Sequence, residues 1–394
     1  MADITPFPLI EIAGPPRERG RMYGEKARGR IGLSAGLYTE QLHRLGFNDA
    51  NIERLVAAFL PRIRDWAPDL VTEMEGIAEG AGVGLSAIVL VNARTEVMQL
   101  ARLEAGVAEE EPDGCTGAVL LPDVTRDGTV IHGQNWDWRA ECADTSVVLR
   151  IRREDGPDIL TFTEAGGLAR SGFNAAGITI TANYLESDRD YREMGIPLPF
   201  IRRRALEAKH FAMALRVVAI TPKSGSNNMM LSTAEGYAVD LECAPDEAFP
   251  IHPQNGMIVH ANHWQSAVAL SKLKETGLAN VPDSLYRDHR VLKVLQESGG
   301  KLAVEDLKRA FFDDFAAPFC VCRAPLAKEG GNLSATVAMI ICEPAKGVME
   351  IAPLPAINRN FTRYELAMDE EALGRAAGAS GEAEGRGKRW SVSS

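Results

Sequence analysis

Cysteine 115 stands in Asp113-Gly114-Cys115-Thr116, where an acidic loop gives way to a β-rich run. A thiol attacks carbonyls as its thiolate, so a cysteine used this way needs a base nearby. Two sources are open: a histidine brought in by the fold, or the cysteine's own α-amino group, freed if the chain is cut just before it. An α-amine titrates near pH 8, so a useful fraction is neutral at physiological pH. Gly114 suits the second source, because a residue without Cβ leaves its carbonyl unshielded and tolerates unusual dihedrals. The plainer alternative is a buried strand cysteine beside an ordinary Asp-Gly turn.

A hairpin brings a partner to that sulfur. Thr116 to Leu121 is apolar, residues 124–128 (ValThrArgAspGly) supply turn chemistry, and Thr129 to Trp138 resumes an extended pattern. Antiparallel pairing about Arg126 sets Asp137 opposite Cys115, whereas a two-residue loop at 126 and 127 sets Trp138 there. One residue of slip decides the face. Either way residues 134–138 (GlnAsnTrpAspTrp) end beside the thiol. Asp137 there can orient the freed α-ammonium, the part a third group plays for a nucleophile and its base; otherwise it caps a strand end.

The elements that must hold these residues follow from periodicity. Residues 15–105 read mainly as helix, and 105–113, with consecutive glutamates and a proline, as an exposed linker. Further strands are expected at Ser146 to Arg152, Ile159 to Thr163, Ile178 to Asn183, Asn228 to Thr233 and Tyr237 to Cys243. Helices are expected at Phe200 to Ile220, Ser266 to Thr276, Asp283 to Gln296 and Val304 to Phe312. A final hairpin joins Ala335 to Cys342 with Val348 to Pro353. From Glu370 the tail is low-complexity and reads as disordered. Helices segregated from antiparallel sheets give an α+β fold.

Composition excludes some functions. With 394 residues, 45% hydrophobic and 25% charged, the chain is an ordinary globular one. A net charge of −11 argues against nucleic acid or an anionic membrane as partner. The N-terminus does not read as a signal peptide, and no apolar run approaches the roughly 18 residues of a spanning helix, so a cytoplasmic protein is expected. Six cysteines in such a chain do not make a disulfide framework. Cys320-Val-Cys322 and His260-Ala-Asn-His263 lack recognised zinc spacing, and the Gly-rich segment 164–177 lacks a strand-GxGxxG-helix context. No metal or cofactor is expected.

Taken as an ordered set, Asp113-Gly114-Cys115-Thr116, residues 133–138 (GlyGlnAsnTrpAspTrp), 163–166 (ThrGluAlaGly), 172–177 (GlyPheAsnAlaAlaGly) and 260–263 (HisAlaAsnHis) resemble the acyl-coenzyme A:6-aminopenicillanate acyltransferase family of N-terminal-nucleophile (Ntn) hydrolases. More distantly the chain is similar to choloylglycine hydrolases and acid ceramidases. The likeness runs from about Pro8 to Pro355 and spares the tail.

The resemblance implies an αββα four-layer sandwich, made as a precursor that cuts itself between Gly114 and Cys115 into two associated chains. Residues 1–114 would then be a helical pre-segment, 115–369 the catalytic chain and 370–394 the tail. Cys115 carries over as nucleophile, Asp137 as the residue holding its amine, and Asn183 and Asn262 as polar groups around oxyanion and amine. Arg287 carries over as the arginine that keeps the site electropositive, with Arg290 as its rival. Gln134 stands where the bile-salt and ceramidase branches have arginine, which puts more weight on Arg287. Glu164 reads as a substrate-side or structural acid. Trp136, Trp138, Tyr184 and Trp264 suggest an apolar or aromatic acyl group, though core packing explains them equally.

Three functions remain: an amidohydrolase cleaving the C–N bond of a small N-acyl compound, an acyltransferase from coenzyme A thioester to an amine, and an unprocessed binding or scaffold protein. The expected partners are a small-molecule amide and the two self-cleaved chains themselves, with a homo-oligomer allowed.

Overall fold

A computed structural model describes residues 4–107, 114–327 and 333–370. Linker residues 108–113 and the tail beyond residue 370 lie outside the described residues.

Among the described residues fifteen strands form two sheets. In chain order they are β1 Leu9–Ile12, β2 Thr116–Leu120, β3 Ile131–Arg139, β4 Ser146–Ile151, β5 Ile159–Glu164, β6 Ser171–Asn174, β7 Ile178–Tyr184, β8 Asn227–Thr233, β9 Tyr237–Cys243, β10 Ala248–Ile251, β11 Met257–His260, β12 Leu326–Ala327, β13 Leu333–Glu343, β14 Val348–Pro353 and β15 Thr362–Glu365. The first sheet runs β1-β4-β5-β6-β7-β8-β9-β10, and the second runs β11-β2-β3-β13-β14-β15 with β12 beside β13. All neighbours are antiparallel except β1 on β4.

The sheets face each other. His132 on β3 sits between Ser232 Oγ on β8 and Thr181 Oγ1 on β7, at 2.8 Å from each. Helices cover both outer faces. Those of residues 16–105, with Leu198–Leu206 and Phe211–Ile220, share one core with the first sheet. Ser284–Glu297 and Val304–Phe311 pack on the second sheet through Val291, Leu295, Leu307 and Phe311. The order helix, sheet, sheet, helix is the αββα sandwich of an Ntn hydrolase. Strands covered on both faces read as unbroken buried runs, as β2 and β5 do.

Two of the N-terminal helices meet backbone to backbone. Gly20 and Gly24 on Pro16–Arg44 face Gly76 and Gly80 on Pro68–Ala81. A Cβ on Gly20 would lie 2.1 Å from Glu73 O, and one on Gly76 would lie 2.2 Å from Arg17 O. Beside this seam the buried Glu73 carboxylate takes Arg19 at 2.7 Å and Arg203 at 2.8 Å, which ties the helix pair to Leu198–Leu206. A buried carboxylate is tolerable here because two guanidinium groups surround it.

The structure corrects several expectations. The first hairpin pairs Thr116 with Asn135, so carrying the register one residue further sets Cys115 opposite Trp136, not Asp137 or Trp138. Its connection is a long loop pinned by Leu302, whose carbonyl accepts from Arg126 N at 2.7 Å and whose N–H donates to Val124 O at 2.8 Å. Turn chemistry alone could not show this, because the pinning residue lies far along the chain. The expected helix 200–220 is split: Asn174 Nδ2 donates to Leu206 O and Ala208 O, both at 2.8 Å, and stops the first half. The expected helix 266–276 shrinks to Ala267–Leu270, since residues 274 and 275 bond instead to the chain at 187 and 188. β1, β6, β10, β11, β12 and β15 were not expected, being short or at sheet edges.

Candidate active site

Cys115 precedes β2 directly and is 4% exposed. Its main-chain N–H donates to Asn262 Oδ1 at 2.7 Å, and its Sγ lies 3.9 Å from the carbonyl oxygen of Asp137. Asn262 follows β11, which pairs with β2, so the sheet register itself brings its amide to the nitrogen of Cys115. Ser284 Oγ accepts from Asn262 N at 2.7 Å, and Asn262 Nδ2 donates to Tyr184 O at 2.8 Å.

Arg287 is fully buried under this junction. Its Nη1 donates to Cys115 O at 2.6 Å and to Thr116 Oγ1 at 2.9 Å, its Nη2 donates to Asn262 Oδ1 at 2.8 Å, and its Nε pairs with Asp283 at 2.7 Å. Arg290, one turn on, points elsewhere: it pairs with Asp313 at 2.5 Å and stacks on Phe315. Of the two arginines, Arg287 is the one that contacts Cys115 and Asn262.

Asp137 does not take the nitrogen of Cys115 in this arrangement. Its Oδ1 accepts from Thr336 Oγ1 at 2.6 Å, and its Oδ2 lies 3.2 Å from Arg323 Nε. The shift of hairpin register is the reason: Asp137 presents its carbonyl to the sulfur and its carboxylate to Arg323, while Asn262 meets the nitrogen. Arg323 also bonds Asp283, which links the Asp137 side of the site to Arg287. A Cβ on Gly114 would fall 2.5 Å from Arg323 Nη2 and 2.8 Å from Arg287 Nη2. A side chain at this position would therefore have to displace the end of at least one of two guanidinium groups.

Asn183 and Gln134 act through others. Asn183 Nδ2 donates to the carbonyls of His260 and Ala261 at 3.0 and 3.1 Å, so both its hydrogens hold the turn that carries Asn262. Gln134 spans the sheets, donating from Nε2 to Ala182 O at 2.5 Å and Asn183 Oδ1 at 2.8 Å, and accepting from Ser171 Oγ at 2.8 Å. His260 bonds Glu242 at 2.7 Å inside the core, which explains it without a metal.

Cys115 opens onto a cavity of about 770 Å³ whose other wall is formed by the N-terminal helices, at Arg94, Glu96 and Met98. Glu164 lines it, paired with Arg94 at 2.7 Å and bonded by Tyr38, so it is at once wall and structural acid. Trp136 and Trp138 line it, and Arg170 lies 4.1 Å over the Trp136 ring. Trp264 is not brought there: it packs on Phe249 and Leu185, with its Nε1 donating to Glu186 O at 2.8 Å.

Burial pushes the Cys115 thiol above its ordinary value. Arg170 pulls it back, the Asp137 carboxylate pushes it up again, and Arg287 lowers it less strongly. The cation that acts most on the sulfur is thus Arg170, which sequence reasoning missed along with Arg323 and Thr336. The aromatic face of Trp136 was the one signal for Arg170, since guanidinium groups stack on indole.

Residues 124–353 match the acyl-coenzyme A:6-aminopenicillanic acid acyl-transferase family. This chain belongs to that family. A curated relative, the acyl-coenzyme A:6-aminopenicillanic-acid-acyltransferase 40 kDa form of Emericella nidulans, is 30% identical over 340 residues, covering 84% of this chain and 88% of its own. As a member of the acyltransferase family the protein is an Ntn-type enzyme.

Solved structures similar to this acyltransferase-family chain include a mutant of the conjugated bile acid hydrolase of Clostridium perfringens, 12% identical with a TM-score of 0.45 over 64% of this chain and 92% of its own. Penicillin V acylase from Agrobacterium tumefaciens is 14% identical, with a TM-score of 0.43 over 65% of this chain and 89% of its own. An N-acylethanolamine-hydrolyzing acid amidase ortholog from Caenorhabditis elegans is 13% identical, with a TM-score of 0.42 over 58% and 93%.

Proposed function

We propose that the protein is a self-processing N-terminal-cysteine amidohydrolase that cleaves a small N-acyl compound through an acyl-enzyme. One observation carries this reading: the sulfur of Cys115 and its own main-chain nitrogen lie together at one cavity, with the nitrogen already seated on Asn262 Oδ1 at 2.7 Å. An acceptor there suits an α-ammonium as well as an amide N–H.

Self-cleavage begins as the Cys115 thiolate adds to the Gly114 carbonyl. The C–N bond breaks, a thioester joins Gly114 to Sγ, and the nitrogen leaves as the α-amine. Water then hydrolyses the thioester, giving a Gly114 carboxylate and a free thiol. In the uncut chain the nitrogen is an amide and cannot take the thiol's proton, so the freed amine serves only in turnover. There it receives the proton as Sγ attacks the substrate carbonyl. Asn262 Nδ2, which gives one hydrogen to Tyr184 O, keeps a second for the oxyanion. Losing one such donor costs roughly 10²- to 10³-fold in rate. The adduct then collapses, and the substrate C–N bond breaks as the leaving amine takes the proton back from the α-ammonium. Water hydrolyses the resulting thioester, which releases the acyl group as a carboxylic acid and restores the thiol.

The second reading replaces water by an amine, and the acyltransferase from Emericella nidulans favours it. Measuring how product divides between water and added amine separates the two. For self-processing, Cys115→Ala is expected to yield one full-length, inactive chain by intact mass. A cut after Gly114 in that variant would sink the reading.

A further inference from the structure

We infer that His263 is a positioning residue: through the hydroxyl of Ser284 it locks the main chain of Asn262 to helix Ser284–Glu297, and so sets the oxyanion donor against Arg287. The inference rests on the amidohydrolase reading, in which Asn262 Nδ2 meets the oxyanion.

His260 and His263 flank Asn262, and only the first is explained by its bond to Glu242 in the core. His263 turns to the helix instead. Its Nδ1 lies 2.8 Å from Ser284 Oγ, the same oxygen that accepts from Asn262 N at 2.7 Å. A hydroxyl has one hydrogen to give. Ser284 Oγ has no other side-chain partner among the described residues, so that hydrogen goes to His263 Nδ1 and the imidazole carries its own proton on Nε2. Nε2 in turn lies 3.7 Å from Asp288 Oδ2. Carboxylate, imidazole and hydroxyl thus stand in series, as they do around a nucleophilic serine. Ser284, however, is fully buried and does not line the cavity. What the series can do there is orient.

Ser284, Arg287 and Asp288 belong to one helix, whereas Asn262 follows β11. Arg287 Nη2 and the Cys115 nitrogen hold the Asn262 side chain through Oδ1, and Tyr184 O takes one Nδ2 hydrogen. Those bonds aim the amide; the Ser284 bond fixes the backbone from which it is aimed. A displacement of about 1 Å in such a group can cost roughly 10²-fold in rate. A proton on Nδ1 would undo the lock, since Ser284 Oγ would then face two donors and its hydrogen would lose its acceptor. Burial holds His263 below its ordinary value of 6.5; Asp288 and Glu242 oppose this, and His260 and Arg287 add to it. The lock is therefore closed at neutral pH and opens on the acid side.

The test compares two reactions of Cys115 in the processed protein. Acylation by 4-nitrophenyl acetate builds an oxyanion, whereas alkylation by iodoacetamide builds none. His263→Leu is expected to slow acylation about tenfold near neutral pH and to leave alkylation within about twofold. Ser284→Ala should match it, and the double variant should lose no more, because both changes remove one bond. His263→Asn, which offers an acceptor oxygen in place of Nδ1, should recover most of the rate. The ratio of acylation to alkylation should fall below about pH 6.5 in the parent and stay level in His263→Asn. Equal slowing of both reactions, unchanged acylation in His263→Leu and Ser284→Ala, or no recovery in His263→Asn would overturn the inference. Should the ester fail to acylate a Cys115 that iodoacetamide still labels, the hydrolase reading falls and the lock is judged by hydrogen exchange. Faster exchange in the peptide holding Asn262 in both His263→Leu and Ser284→Ala sustains it, and unchanged exchange removes it.

Discussion

Gly114 is held by space. Two guanidinium groups, of Arg323 and Arg287, occupy the volume a side chain at this position would need. Gly114→Ala must push at least one of them aside, and both are tied into the network that bonds Asp137, Asp283 and Asn262. Self-cleavage in Gly114→Ala is therefore expected to slow by about tenfold or more, equivalent to ~1.4 kcal/mol or more on the barrier. The half-life of the full-length chain by gel or mass measures it; an unchanged half-life would show that the arginines are bystanders. Asn262 is a second residue with a sharp expectation. Asn262→Ala removes the acceptor on the Cys115 nitrogen and a donor near the carbonyl, and should lower kcat by roughly 10²-fold with a smaller effect on KM. That residues 134–138 end beside Cys115 was legible from sequence, but that Asn262 and not Asp137 accepts from its nitrogen was not. That choice turned on one residue of register between β2 and β3.

At the scale of elements, the N-terminal helices contribute one wall of the cavity, and two of them, Pro16–Arg44 and Pro68–Ala81, meet along the glycine seam. Two effects compete in Gly76→Ala. Helix propensity favours alanine by about 1 kcal/mol, whereas the new methyl meets the Arg17 carbonyl at 2.2 Å and forces the helices apart. Overpacking of this kind costs ~3 kcal/mol, so it wins. Gly76→Ala is expected to lower unfolding stability by about 2 kcal/mol in a denaturant titration; a variant as stable as the parent would mean that the seam yields without cost. The existence of both helices could be read from their apolar spacing. Their crossing could not, because spacing along one helix says nothing of which face meets which partner.

For the whole molecule, the two sheets close over a buried cluster of His260, Glu242 and Asp240. Burial lowers the affinity of His260 for a proton, but Asp240 and the Glu242 hydrogen bond outweigh it and raise the imidazole to about 9. A group raised in the folded state contributes stability that is fully present below its unfolded value of about 6.5 and is lost as pH rises through about 9. Stability should thus decline between pH 6.5 and 9, by about 1.4 kcal/mol per pH unit at most. Denaturant midpoints across that window check it, with His260→Gln as control. An equally steep decline in the variant would assign the effect to another group. Among the described residues no helix is long and apolar enough to cross a membrane.

The sequence by itself determined most of the central strands, the switch from helix to sheet at Cys115, and the glycine that precedes this cysteine, because apolar periodicity and local residue type are written along the chain. Tertiary structure alone decided that Arg287 and not Arg290 lies under the junction, that Asn183 braces the turn before Asn262, and that Arg170 lines the same cavity as Cys115. Those facts depend on distances between residues up to 172 positions apart, such as Arg287 and the Cys115 carbonyl. Charges meet across such separations only when sheet register and helix packing have closed the loops between them, and no local pattern records how they close.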